Sequence, residues 1–451
     1  MNTLINGREA DIEGISCSEN VCRFLDQLPR DLILILNKIA SSGGGVWIVG
    51  GAVRDSELGH HPVDIDLAVD LTPDEMMNVF TDAILTGEDF GTISIRGESC
   101  LYQATTLRTE SNYIDGRRPE KVEWGKSLKQ DLERRDFTIN AMAIDASRRI
   151  IYDPHNGRTD LSRGLVRAVG NAHKRLSEDG LRIMRAYRFI DRNESGVWNF
   201  ENSLAQSLIL QKHMLDPVAR ERIWIEWKKI LNGTNSGEVI NKMANDGILD
   251  RFLIGEWDIK YAVIEALKQN LSEFDEIEKF ALLLSENTRK EVIEICSKLK
   301  TSRIERDRII SIHDRFGKIP HNSKQSLRLY RAVLKGFSEK HLLLEMILKD
   351  ANISLAKKQL SEFSKSDIKD LLNSLAKLDA QKTQVEPLAN GTWIMQQTGM
   401  PKGIRLGRLK SWLHTIQIER DLINLSDIEL VLSTLSWENC DFSLWPELKF
   451  P

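Results

Sequence analysis

The chain has 451 residues, 62 Lys and Arg against 66 Asp and Glu, and 41% hydrophobic residues. That length exceeds what one core usually serves and calls for roughly two to four domains, and the apolar fraction excludes disorder as the main state. A formal charge of −4 excludes a uniformly basic nucleic-acid binder and leaves room for a local basic surface. Residues 1–30 are polar, carry neither an apolar signal core nor an Arg-rich transit pattern, and read as a loose lead-in. The run DLILILNKIA, Asp31 to Ala40, reads as a helix closed by Ser41-Ser42 and three glycines. Val46–Val49 is a short apolar strand between glycines, and DIDLAVD, Asp64 to Asp70, alternates with strand periodicity. Thr72-Pro73 opens a helix expected over Asp74–Leu85, with Thr72 as N-cap. Thr92–Arg96, Cys100–Leu107 and Lys121–Trp124 read as further strands, so the first part of the chain is a mixed α/β domain. Beyond about residue 170, Glu178–Asp191, Val218–Leu231, Ile259–Leu267 and Arg328–Leu334 have helical spacing and the remainder reads as mainly α-helical, with a polar linker at Ala380–Glu386.

Five scattered cysteines, Cys17, Cys22, Cys100, Cys296 and Cys440, form no CxxC pair, so neither a disulfide framework nor a zinc site is expected. No apolar run near the N-terminus approaches the ~20 residues of a membrane span. A soluble protein of the cytoplasm is the expectation.

Four blocks carry chemistry. In Gly50-Gly51-Ala52-Val53-Arg54-Asp55 a strand, two glycines and a helix start bring backbone N–H groups and one guanidinium to a point where phosphate can bind, although a plain strand–helix turn has the same local pattern. Asp64 and Asp66, at i and i+2 on a strand, leave the same face, with Ile65 and Leu67 pointing into the core. Two such carboxylates repel unless a cation lies between them, and oxygen donors favour Mg²⁺. In RRDFTINAMA, Asp136 could cap a helix whose apolar face carries Phe137, Ile139 and Met142, with Arg135 and Asn140 near the carboxylate strand. In EDGLRIMRAYRF, Asp179, Arg182, Arg185 and Arg188 follow at intervals of three, so neighbours meet on a helix while the row as a whole winds around it. Residues 148–192 hold eleven Lys or Arg against five Asp or Glu, a basic excess that the whole-chain charge conceals. Trp224 and Trp227, at helical spacing, read as core.

These blocks, in this order, with TTLRTESNYIDGRRP and DPHNGRTDL between them, resemble the tRNA nucleotidyltransferase and poly(A) polymerase family of the polymerase-β-like superfamily, in its bacterial-type class II branch. The likeness runs from Trp47 to Leu231, and Leu388–Leu413, with Gly399, Gly403 and Gly407, is similar to the family's C-terminal tail. It implies an α+β fold: a polymerase-β-like head with a mixed antiparallel sheet and helices, followed by an all-α neck, body and tail. The implied divisions are a lead-in at 1–30, the catalytic head at 31–170, a nucleotide-selecting neck at 171–233, the body at 234–383 and a tRNA-binding tail at 384–451. Also implied are Asp64 and Asp66 as catalytic residues and Mg²⁺ ligands, and Gly51, Arg54, Arg135, Asp179, Arg182, Arg185 and Arg188 as nucleotide-binding residues.

The implied function is CCA addition to tRNA from CTP and ATP, with poly(A) polymerase or a CC-only or A-only enzyme as the alternatives, and no membrane or obligatory protein partner. Cytosine and adenine both present a ring-nitrogen acceptor beside an amino donor, whereas uracil and guanine present the reverse. The pair Asp179 and Arg182 would accept the first two and leave unpaired groups against the others. Two departures from the family stand out. Gln103 occupies a position where many relatives are acidic, with Glu98 or Asp153 as substitutes for a third carboxylate, or with two carboxylates sufficing. Phe280–Ser285 lacks a His-Asp pair, so no phosphohydrolase module is expected.

Overall fold

The computed structural model describes residues 3–87, 91–98, 100–113, 119–253, 261–269, 271–351, 363–383, 386–438 and 441–445. Two compact units divide the chain, residues 1–259 with 298–300, and residues 260–297 with 301–451.

The first unit is built on an eight-stranded sheet. Its strands are β1 (Ile15–Ser16), β2 (Val46–Val49), β3 (Asp66–Val69), β4 (Ile84–Gly87), β5 (Thr92–Arg96), β6 (Leu101–Thr106), β9 (Ala143–Asp145) and β10 (Ile150–Tyr152), while β7 (Arg108–Tyr113) and β8 (Pro119–Trp124) form a separate hairpin. The order is β1-β10-β9-β2-β3-β6-β5-β4, antiparallel throughout except for the parallel pair β3–β6. The register of β2 and β3 decides where the chemistry can be. Val49 pairs with Asp66 and Val46 with Val69, so the glycine turn that leaves β2 lies beside the carboxylate that opens β3. Trp47, Ile48, Leu67, Ala68 and Val69 are all buried, which anchors that edge in the core.

Helices α1 (Glu19–Asp26), α2 (Arg30–Ser41), α3 (Gly51–Glu57), α4 (Pro73–Val79), α5 (Leu128–Glu133) and α6 (Gly157–Ser162) belong to the same unit. In α2 the residues Leu32, Ile35, Leu36, Ile39 and Ala40 are buried, the i, i+3, i+4, i+7, i+8 stripe of a core-facing helix. The segment expected to be a loose lead-in is folded onto the sheet instead. β1 pairs with β10, Val21, Phe24 and Leu25 of α1 are buried, and Arg8 reaches the buried Asp70 at 2.6 Å. Thr72 closes a capping box with Glu75 at the start of α4, but that helix stops at Val79 and does not run to Leu85. Phe80 leaves the helix at φ −121° and buries its ring, and Ile84 and Leu85 pair with Ser94 and Ile93 as an edge strand.

The unit also contains the helices α7 (Ala172–Glu178), α8 (Leu181–Ile190), α9 (Asn202–Leu210), α10 (Arg220–Asn232) and α11 (Ser236–Asn245) and a short parallel pair, Leu165–Val166 with Asn199–Phe200. The expected single helix over Glu178–Asp191 is two, broken at Asp179, whose φ of −148° and ψ of 108° are extended. Gly180, next in the chain, lets the Met214 segment approach closely. Its φ of −58° suits any residue, yet a Cβ there would stand 1.9 Å from the Met214 carbonyl oxygen. Gly180→Ala is therefore expected to destabilise the protein by about 1–3 kcal/mol, as overpacking does, read as a lower urea midpoint with an unchanged slope; an unshifted midpoint would mean that the Met214 segment yields freely. Trp224 and Trp227 are core residues, 4% and 0% exposed.

The second unit is helical in its described residues: α12 (Tyr261–Leu267), α13 (Glu276–Leu283), α14 (Arg289–Lys298), α15 (Arg303–His313), α16 (Lys324–Leu334), α17 (Ser338–Asp350), α18 (Lys365–Ala376), α19 (Gly391–Thr398), α20 (Ile404–Arg420) and α21 (Leu425–Thr434). One core gathers Leu327, Tyr330, Leu342, Ile368 and Leu371, and another gathers Ile394, Leu409, Leu413, Ile428 and Trp445 around α20. Gly399 ends α19 at φ +68°, a left-handed C-cap that glycine adopts without penalty. The start of the helix expected at Ile259, the centre of the expected linker at 384–385 and most of YIDGRRP (114–118) lie outside the described residues.

Candidate active site

The β2–β3 edge opens into a cleft of about 1460 Å³ within the first unit. Gly50 turns the chain at φ +70°, and a Cβ there would lie 3.2 Å from Arg135 Nη1, so the turn and that guanidinium are in close approach. Gly51 begins α3 directly behind it. Asp66 is the first residue of β3, whereas Asp64 sits in the bend before the strand and Ile65 is only half-buried. The two carboxylates are thus not a strand-borne i, i+2 pair, because pairing with β2 begins only at Asp66. They still share the cleft. Loss of water between the cleft walls raises the Asp66 carboxyl above its ordinary value, Arg135 pulls it down and Asp64 adds to the rise. Among the described residues neither carboxylate has an ion-pair partner.

Facing them is an array of arginines, each set by an acceptor. Arg54 grips Asp55 with Nε and Nη2, at 2.8 and 3.0 Å, and gives Nη1 to the Asn140 side chain at 2.8 Å. Arg135 gives Nη2 to Asp131 at 3.1 Å and Nη1 to the Asn140 carbonyl at 3.3 Å. Asp131 also takes Arg134, and although burial raises its carboxyl, the two guanidiniums hold it below the ordinary range. Asp136 does not cap a helix; Phe137, Ile139 and Met142 are fully buried around a 3₁₀ turn over Thr138–Asn140, and the carboxylate pairs with Arg185 at 2.6 Å. Arg188 binds Glu226 at 2.8 Å, and burial with its neighbour Arg185 pushes the guanidinium down to about 10. The ring of Phe189 lies under three of these cations, with Arg188 at 4.3 Å, Arg185 at 5.3 Å and Arg54 at 5.4 Å.

Asp179 and Arg182 both line the cleft, but they are not paired on one helix. Asp179 stands in the break before α8, where one oxygen accepts the Leu181 N–H at 3.0 Å and the other accepts Arg222 at 2.9 Å. Arg182 is held by Glu178 at 2.6 Å and by the carbonyls of Arg175 and Arg134. A carboxylate has about four acceptor sites and a guanidinium five donors, so both keep capacity for a ligand.

All nine expected site residues line this one cleft. Sequence reasoning passed over Asp131, Asp55, Arg222, Glu226 and Phe189, which orient the others; the i, i+3, i+4 spacing of Asp131, Arg134 and Arg135 was the available signal for the first. Gln103 also faces the cleft. The two proposed substitutes for an acidic residue there do not: Glu98 sits in the β5–β6 turn and Asp153 caps α6 through the amides of Gly157 and Arg158. Among the described residues nine Lys and Arg line the cleft against seven Asp and Glu, a balance that favours anions in a chain that is negative overall.

A mixed sheet whose glycine turn and paired carboxylates meet an arginine-lined cleft defines a nucleotidyltransferase head. Residues 46–167 match the family described as "Poly A polymerase head domain", and residues 199–255 match "Probable RNA and SrmB- binding site of polymerase A". The chain is 30% identical over 395 residues to the CCA-adding enzyme of Bacillus velezensis, an alignment spanning 85% of this chain and 95% of that one. It is 43% identical over 201 residues to the CCA-adding enzyme of Ligilactobacillus salivarius, where the match spans 45% of this chain and about half, 49%, of that relative. Among solved structures it is similar to the CCA-adding enzyme of Bacillus stearothermophilus in complex with CTP, with a TM-score of 0.68, 23% identity and coverage of 90% and 96% of the two chains. The Thermotoga maritima CCA-adding enzyme complexed with tRNA gives a TM-score of 0.59, 20% identity and coverage of 92% and 98%. This chain belongs to the family of the CCA-adding enzymes.

Proposed function

We propose that this chain adds C, C and A to the 3′ end of tRNA, drawing on CTP and ATP without a nucleic-acid template. The reaction is attack of the RNA 3′-hydroxyl on the nucleotide α-phosphate with release of pyrophosphate. The observation that carries the reading is the one cleft in which Asp64 and Asp66 face the arginines of the head and of α8. Asp64 and Asp66 would hold Mg²⁺, since two neighbouring oxygen donors in one cleft, the first of which raises the proton affinity of the second, suit a hard cation. Bound there, the ion supplies neutralisation of phosphate charge and a lowered pKa for an attacking hydroxyl. Gly51 lets the backbone approach the triphosphate, and Arg54, Arg135, Arg185 and Arg188 bind its oxygens through guanidiniums already aimed by carboxylates and Asn140. Asp179 as acceptor and Arg182 as donor read the edge of the incoming base, which admits cytosine and adenine and leaves buried groups unpaired against uracil and guanine. Residues 384–451 would grip the tRNA, and a cytoplasmic location would suit work on tRNA. Among the described residues no helix is long and apolar enough to cross a membrane.

The test is end-extension with Mg²⁺ on tRNA transcripts lacking CCA and on an unstructured oligoadenylate, with CTP and ATP given singly and together. Ordered addition of C, C and A that then stops is the expected result. Open-ended A addition to the oligoadenylate would make the chain a poly(A) polymerase, and arrest after CC a CC-only enzyme.

A further inference from the structure

Helix α10 presents a charged stripe on the side that faces α8. Arg222, Glu226 and Lys229 follow at i, i+4 and i+7, so they share one face, while Ile223, Trp224, Trp227, Ile230 and Leu231 are buried. Arg222 holds Asp179, and Glu226, itself 4% exposed, holds Arg188. Two residues of the nucleotide cleft are therefore aimed by one helix.

The Asp179 contact is the more consequential. Asp179 lies in an extended break where no helix fixes its rotamer, so its direction depends on what its oxygens bind. Oδ1 takes the Leu181 amide at 3.0 Å and Oδ2 takes Arg222 Nη2 at 2.9 Å, with Arg222 Nη1 at 3.5 Å from Oδ1. The amide alone leaves rotation of the carboxylate about its Cβ–Cγ bond; the second, charge-assisted bond removes it. Held this way, the carboxylate turns its remaining lone pairs to the base edge as acceptors, which cytosine and adenine require and which uracil and guanine meet with an unpaired carbonyl.

We propose that Arg222 is a specificity-determining positioning residue, which fixes the Asp179 carboxylate as the acceptor at the base edge and so sets the preference for C and A over U and G. This rests on the base-reading role of Asp179 proposed above. The experiment compares kcat/KM for CTP and for UTP in the first addition to tRNA lacking CCA, for wild type, R222K, R222Q, D179N and the R222Q/D179N double variant, with a thermal melt of each. R222Q is expected to lower the CTP/UTP ratio by roughly tenfold or more, R222K to keep part of it, and R222Q to add less than about twofold on the D179N background, because two residues acting as one unit are not additive. A ratio unchanged in R222Q but lowered in D179N overturns the proposal and leaves the base-reading role standing. Additive losses in the double variant also overturn it, since Arg222 would then act on the substrate by itself. A ratio unchanged in D179N removes the base-reading role as well. Should R222Q melt early, R222K and the D179N arm still decide, because a general loss of packing lowers both substrates' rates and does not move their ratio.

Discussion

Asp66→Asn is expected to abolish nucleotide addition and leave the fold intact. The substitution keeps the shape of the side chain and removes one of the two carboxylates that face the arginines across the cleft. Loss of a preorganised electrostatic group at the reacting phosphate costs on the order of 10²–10³ in rate, and loss of half a cation site should cost at least the upper end. The effect on stability runs the other way. Loss of water between the cleft walls and the charge of Asp64 raise the Asp66 carboxyl above its ordinary value even though Arg135 opposes them, while the side chain itself stays open to the cleft. A raised acid is more strongly protonated in the folded than in the unfolded chain, so its ionised form works against folding once pH climbs past that window. Asparagine has no such form, and because Asp66 is exposed the change in stability should stay within about 0.5 kcal/mol at neutral pH or be favourable. Single-turnover addition of CMP and a urea titration of the same preparation check both halves. A variant that keeps a tenth of the wild-type rate would remove Asp66 from the catalytic pair, and a clear drop in the urea midpoint would make it a structural residue.

Short-range patterns announced most of the head. The strand at Val46–Val49, the helix that buries Leu32 to Ala40 and the cap at Thr72 were legible because glycine stops, period and capping chemistry are local. The nine site residues were legible as types, since guanidiniums and carboxylates in those blocks suit phosphate and cations, and all nine reach one cleft. Their local setting was not legible. Asp64 falls outside β3 because only pairing with β2 decides where the strand begins. Asp179 falls outside α8 at a break beside Gly180, whose missing side chain leaves room for the Met214 carbonyl, a neighbour 34 positions along the chain that no window of periodicity includes. The partners of the arginines were hidden for the same reason: Arg185 finds Asp136 and Arg222 finds Asp179 across 49 and 43 positions. The helix expected to run to Leu85 shows the converse, a good local propensity overridden by the pairing of Ile84 and Leu85 with β5.

Asp131→Ala should cost the most stability of any single change in the site. Asp131 is 1% exposed and accepts from both Arg134 and Arg135, with distances of 2.9 and 3.1 Å to Arg134 Nε and Arg135 Nη2. Removing one partner of a buried ion pair typically costs about 3–5 kcal/mol, because the remaining charge keeps its desolvation and loses its compensation. Here the remaining charges point at the cleft, and among the described residues Arg135 would keep its bond to the Asn140 carbonyl alone. The KM for CTP should therefore rise along with the loss of stability, since Arg135 is one of the guanidiniums proposed to bind the triphosphate. The pH dependence separates this electrostatic role from simple packing. Burial raises the Asp131 carboxyl, the two arginines more than offset it, and the folded-state value ends below the ordinary one. A depressed acid contributes stability that is present above its unfolded value and is lost as pH falls through the folded one. The gap between wild type and D131A should thus be full at about pH 7 and narrow only below the ordinary carboxylate value, to be read from urea midpoints at about pH 7 and about pH 2.5. A gap that stays constant across that range would mean that Asp131 fills space and does not hold the arginines by its charge.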